Sequence, residues 1–460
     1  MSELIMAIVL TLLQFATGFG VLGKFRIQLK PAMHISLSVL LGVAIFSIVP
    51  FVLQLLFVPL TADNVFLALA ITCVLLNVRS AARIRQLGQI LKEAKFRITL
   101  YDIPFLLVIA FIVFVSVWRC FYFPPTSRDL TSGAEVIAEY AVREKTMINS
   151  VFSLHLESMN NHFKSPFIIS LQVIYKYAGF PFGQVWLCNV FICFVVFLYH
   201  ALGLTLHRWL AGILMVCFLA IPEMYAYTFM VLYDYSNAAF FFLAAYFMIE
   251  FFKAGKKNYI AFAGFLMAIA TYVRSETLVL GGMLSLAIIL HYTRNRDKFF
   301  KPVIAGLRFL LPAMIVYFVM VNIYIDHYLP IRYDIEGLVN NSLFNLRPLW
   351  HRLIDINTEL IFSSQGITYY GYFFFIFLAI FLADVLRMNI SAAAKNWAYA
   401  VLVVYFGLAL LGFLLPLLDL DNSTKRGLFK IFPLMLLYLA NSSLLKDLSS
   451  KITAWENARH

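Results

Sequence analysis

The chain has 460 residues, of which 62% are hydrophobic and 13% charged. Soluble domains hold about 45–50% apolar and about 25% charged residues, so this apolar excess is more than one globular core hides and must face lipid. The formal charge of +12 would suit nucleic acid, but its placement along the chain excludes that partner and sets the basic loops against anionic headgroups.

Glu3 precedes the first apolar run and no basic region comes before it, so the run reads as a retained span rather than a cleaved signal. A span needs about 20 apolar residues. Clear windows of that kind are 4–23, 34–60, 102–123, 184–205, 307–326, 368–386 and 398–418. Shorter or fused windows are 64–78, 209–222, 232–252, 259–273, 277–292 and 427–445. The pattern predicts an all-α polytopic membrane bundle of about 13 transmembrane helices, in a single domain over residues 1–460. Cys73, Cys120, Cys188, Cys193 and Cys217 lie in or beside apolar runs without metal spacing, and read as small core residues rather than a disulfide framework.

Orientation follows from charge. With the N-terminus outside, 23 of the 36 Lys and Arg residues but only 7 of the 24 Asp and Glu residues fall on the inner side, Arg208, Asp102 and Glu456 among them. That is the positive-inside pattern. Trp118, Trp186, Trp209 and Trp397 stand at span ends, where an aromatic belt is expected. Two outer loops are long, 124–183 and 327–367, and long loops are where function concentrates.

The first outer loop opens with Pro124-Pro125-Thr126-Ser127-Arg128-Asp129. Val136, Ile137, Tyr140 and Ala141 then share one helical face, with Glu135, Glu139 and Arg143 elsewhere, which predicts an amphipathic helix on the membrane surface. Asp129 at its start is either an N-cap or a carboxylate held as a general base, and both readings stay open. A second amphipathic stretch around 150–163 holds His155, Glu157 and His162. The two histidines are two helical turns apart, which favours a solvated face over a metal site.

Further charges border later spans. Glu223 follows Pro222, Asp234 opens the next span, Arg274 and Glu276 share a tight outer turn, and Lys425 and Arg426 follow Asp419 and Asp421. Ionisable groups at the edge of the hydrocarbon are functional candidates, against the alternatives of snorkelling or pairing within a turn. Several converging on one face would make a polar cavity, and Arg274, Lys425 and Arg426 could grip an anionic headgroup there. Asp384 has Arg387 three residues on, so a local helix pair is expected.

Four stretches resemble the GT-C superfamily of polyprenyl-phosphate-sugar-dependent glycosyltransferases, which includes protein O-mannosyltransferases and lipid A aminoarabinose transferases. They are Arg128-Asp129; Lys164-Ser165-Pro166-Phe167 with the following Ile168-Ile169-Ser170-Leu171; Tyr233-Asp234 followed by Gly264 to Glu276; and Thr424-Lys425-Arg426-Gly427-Leu428-Phe429-Lys430-Ile431-Phe432-Pro433. Two features depart from the family pattern. About three spans precede the acidic loop by the length criterion, where the family has one, and Arg274-Ser275-Glu276 replaces Arg-Pro-Glu.

The resemblance implies inverting transfer of a sugar from a polyprenyl-phosphate donor to a hydroxyl of a glycan, lipid or protein acceptor. It implies an active face on the periplasmic side of a bacterial inner membrane. Asp129 would be the general base; Arg274, Lys425 and Arg426 would hold the donor phosphate; Arg128, Glu223, Asp234 and Glu276 would line the cavity. No cofactor is required, and no P-loop or Gly-rich dinucleotide signature is present. A divalent metal shared by Asp129, Glu223 and Asp234 is the lesser alternative. A lipid-linked sugar flippase is the competing class, but the paired halves and mid-span breaks common in transporters are not visible. An oligosaccharide ligase or polymerase stays open, because residue types do not encode donor length.

Overall fold

A computed structural model describes residues 3–78, 88, 102–122, 133–153, 165–181, 183–294, 300–329, 346–415 and 419–458. Among them the architecture is all-helical. The helices are α1 (Glu3–Phe25), α2 (Pro31–Leu55), α3 (Ala62–Asn77), α4 (Ile103–Tyr122), α5 (Glu135–Glu144), α6 (Phe167–Tyr177), α7 (Gln184–Leu202) and α8 (Arg208–Leu219). They continue as α9 (Tyr233–Ala254), α10 (Lys257–Val273), α11 (Thr277–Arg294), α12 (Phe300–Phe318), α13 (Arg347–Asp355), α14 (Ser364–Tyr370), α15 (Phe373–Leu386), α16 (Ala392–Leu414), α17 (Ile431–Asn441) and α18 (Ser443–Asn457).

Each apolar window of the sequence falls on a helix, but the helices differ in reach. Among the described residues seven are long and apolar enough to cross a membrane, or up to nine if two bent pairs each count as one span. Helices α3, α8 and α10 are shorter. At about 1.5 Å per residue, the 12-residue α8 covers well under the roughly 30 Å of a hydrocarbon core. Apolarity therefore marks helices that avoid water, whether in lipid or inside the bundle, and does not alone mark a full crossing.

Helices α2 and α9 form the interior: 78% and 89% of their apolar windows are buried, against 11% for α4. Alone among the three, α4 therefore presents most of its apolar surface outward, as a helix at the lipid boundary does. Close backbone approach holds the centre. A Cβ on Gly42 of α2 would collide with the Gln14 carbonyl of α1, and one on Gly264 of α10 with the Arg308 carbonyl of α12. Small residues at such crossings provide the van der Waals contact that drives helix association in lipid, where the hydrophobic effect between helices is weak.

Three local expectations are corrected. The apolar face of α5 does not lie on the membrane surface: Ile137, Ala138 and Ala141 are fully buried, and α5 packs on α6. Glu135 is buried with them, ion-paired to Lys176 and accepting from Gln172 Nε2 at 2.7 Å. Trp186 and Trp397 are core residues rather than belt residues, with Trp397 stacked on Phe242; only Trp118 is exposed at its span end among the three. Asp384 does not pair with Arg387. It is fully buried and accepts from Tyr438 Oη at 3.0 Å, Ser443 Oγ at 2.7 Å and the Leu444 amide at 3.1 Å, so it caps α18 and pins the α17–α18 bend. Asp384→Ala leaves these donors without their acceptor and should cost about 2–3 kcal/mol, read as a lowered unfolding temperature in detergent. An unchanged unfolding temperature would remove the clamp role.

Candidate functional site

The site begins with an antiparallel helix pair. Gly255, at φ +65°, ends α9 in the left-handed conformation that glycine adopts without a Cβ clash, and Lys256 leads straight into α10. The N-terminus of α9 and the C-terminus of α10 therefore lie at the same end. Asp234 occupies the first turn of α9 and Arg274 the C-cap of α10, each the charge that its helix end favours. Asn237 Nδ2 donates to the Ala270 carbonyl at 2.7 Å and to Thr277 Oγ1 at 2.9 Å, locking the pair to the start of α11.

Arg274 forms a fork between Asp234 and Glu276. Arg426 reaches the second oxygen of Asp234 at 3.4 Å, and its Nε donates to the Asn422 carbonyl at 3.0 Å. It stands on the short turns Leu420–Thr424, Lys425–Gly427 and Leu428–Lys430 that lead into α17. Asp234 is only 3% exposed, so its charge depends on these partners rather than on water. Burial works against the Arg274 charge, but Glu276 and Asp234 outweigh it and hold the guanidinium above its ordinary pKa.

A second pair adjoins the first. Lys425 Nζ lies 2.7 Å from Glu223 Oε1 and 4.2 Å from the centroid of the Tyr369 ring, and Tyr370 Oη donates to the Lys425 carbonyl at 3.0 Å. Thus six sequence-predicted residues, Glu223, Asp234, Arg274, Glu276, Lys425 and Arg426, meet in two adjoining clusters. Arg128 and Asp129 lie outside the described residues, as does Lys164. The first outer loop does return to this end of the bundle: Tyr233 Oη donates to the Ser165 carbonyl at 2.8 Å, and Phe167 meets Tyr272 edge to face.

A cleft opens beside the fork, lined by Arg274, Glu276, Ser423, Thr424 and Lys430 against Leu408 and Leu411. Two basic residues at or beside this cleft were given no role by sequence reasoning. Lys430 stands four residues after Arg426, a helical spacing that could have flagged it. Arg352 of α13 donates to Thr424 Oγ1 at 2.7 Å, a contact 72 residues distant in sequence that no local pattern announces.

The ion pairs respect the predicted sidedness. Arg208 pairs with Asp102 at 3.4 Å and with Glu456, and His207 Nε2 lies 2.9 Å from Glu456; Arg208, Asp102 and Glu456 all fall in the set assigned to the inner side. Among the described residues no group of three His, Cys, Asp or Glu side chains is arranged to hold a metal ion. Glu223 and Asp234 instead face cations. Comparison with protein-family models, curated proteins and solved structures finds no match.

Proposed function

We propose that this chain is a membrane glycosyltransferase of the GT-C kind, with about 13 helices crossing or entering the bilayer. It moves a sugar from a polyprenyl-phosphate donor to an acceptor hydroxyl, with inversion, on the periplasmic face of a bacterial inner membrane. The observation that supports this most is the meeting of Asp234, Arg274, Glu276 and Arg426, from two of the four resembling stretches, at one end of an apolar bundle.

The chemistry suits such a place. The leaving group is a lipid phosphate, and preorganised cations in a dry site stabilise the charge that grows on it as the sugar–oxygen bond breaks. The acceptor hydroxyl is a weak nucleophile and needs a placed base, the role assigned to Asp129. Apolar helices beside the cluster offer the lipid chain a route along the membrane rather than through water.

The test is to purify the full chain in its native lipids and identify co-bound lipids by mass spectrometry, then to follow sugar transfer from the lipid so found. A polyprenyl-phosphate sugar consumed with inversion at its anomeric carbon is the expected result. A donor that crosses vesicle membranes with its sugar intact would overturn the reading in favour of a flippase.

A further inference from the structure

The cations that the sequence offers to a donor phosphate are already engaged. Arg274 holds Asp234 and Glu276, Arg426 holds Asp234, and Lys425 holds Glu223. Their first work is to pair with these carboxylates and hold them in place. Lys430 differs. It is 3% exposed, it lines the cleft, and it forms no hydrogen bond or ion pair with the described residues. Arg274 repels its charge, while Glu276 and Asp234 attract it from beyond ion-pair distance.

An ammonium has three donors to satisfy, and at 3% exposure the cleft gives Lys430 little water in place of a protein partner, which is costly. An anion in the cleft would remove that cost. The surrounding chemistry narrows the anion. Ser423 and Thr424 line the cleft with polar side chains suited to phosphate oxygens, the Thr424 hydroxyl already accepting from Arg352, while Leu408 and Leu411 form an apolar wall suited to a hydrocarbon chain. One unpaired ammonium matches a single negative charge, as on a phosphodiester.

We infer that Lys430 is the donor-phosphate ligand, binding a monoanionic phosphate ester that carries a hydrocarbon chain, and that Arg274 and Arg426 position the site rather than grip the phosphate. The inference deepens the proposed function and rests on it for the identity of that ester as the sugar donor.

The test uses the full chain in phosphatidylcholine nanodiscs at about pH 5, where a phosphate monoester is singly charged, titrated with dodecyl phosphate or inorganic phosphate by calorimetry, with empty discs as blank. The wild type should bind dodecyl phosphate saturably. Lys430→Met should bind it about tenfold more weakly or worse, as the loss of one charge-assisted contact predicts. Lys430→Arg should stay within about threefold, because it retains the donor charge. The unfolding temperature of Lys430→Met should match or exceed that of the wild type, since a buried charge without a partner has been removed. Equal dodecyl phosphate affinity in Lys430→Met, or no saturable binding by the wild type, would overturn the assignment. Inorganic phosphate binding as tightly as dodecyl phosphate would overturn its lipid part. Lys430-dependent binding in a chain whose co-purified lipids lack any sugar would refute the glycosyltransferase reading and leave Lys430 as an anion site.

Discussion

Arg274→Ala should lose about 3–5 kcal/mol of stability, the range found when one partner of a buried ion pair is removed. The reason is the fork. One guanidinium serves Asp234 through Nη1 and Glu276 through Nε, and both acids are mostly out of water. Arg426 still reaches Asp234 at 3.4 Å, so the greater damage falls on Glu276, and the loss should lie toward the lower end of that range. Arg274→Lys should be intermediate, because a point charge cannot span two carboxylates as a planar fork does. The control is Arg274→Met combined with Glu276→Gln. It removes the cation and the orphaned charge together and should recover part of the loss, since deleting both partners costs less than stranding one. Unfolding in detergent measures all three. An Arg274→Ala protein as stable as the wild type would mean that water or other side chains replace the fork, and that the cluster is not a preorganised unit.

The fold was legible where the signal is local. Apolar windows became helices, and the charge asymmetry separated Asp102, Arg208 and Glu456 from Asp234, Arg274 and Arg426, sets that the structure keeps apart in its ion pairs. What stayed hidden depends on what a helix packs against. The apolar stripe of α5 is the same stripe whether it meets lipid or α6, and periodicity cannot tell the two apart. Trp397 at a helix start looks like a belt residue until Phe242 is found against it. Asp384 was assigned to Arg387 by spacing, yet its donors come from residues 438 to 444, more than fifty positions away. The site divided in the same way. Charged residues at span ends could be listed, but which cation each acid takes, and that Lys430 has no partner among the described residues, depends on the packed structure.

Asp129→Asn should reduce sugar transfer by about 10²–10⁴-fold, the contribution typical of a positioned general base. The substitution keeps size and shape but removes the ability to accept the acceptor's proton. It also separates the two roles open to Asp129 in the sequence. Asn caps a helix about as well as Asp does. If Asp129 is only an N-cap, Asp129→Asn should keep both stability and turnover, while Asp129→Ala should lose about 0.5–2 kcal/mol. If Asp129 is the base, Asp129→Asn should keep its unfolding temperature and its affinity for dodecyl phosphate, because neither depends on proton transfer, and should lose turnover alone. The acid limb that a carboxylate base would give the wild-type pH–rate profile should also be absent from any residual activity of Asp129→Asn. Normal turnover in Asp129→Asn would leave the cluster of Asp234, Arg274, Glu276 and Arg426 in place, but would require another group to take the proton. Glu276 would then be the first to test, since it borders both the fork and the cleft beside Lys430.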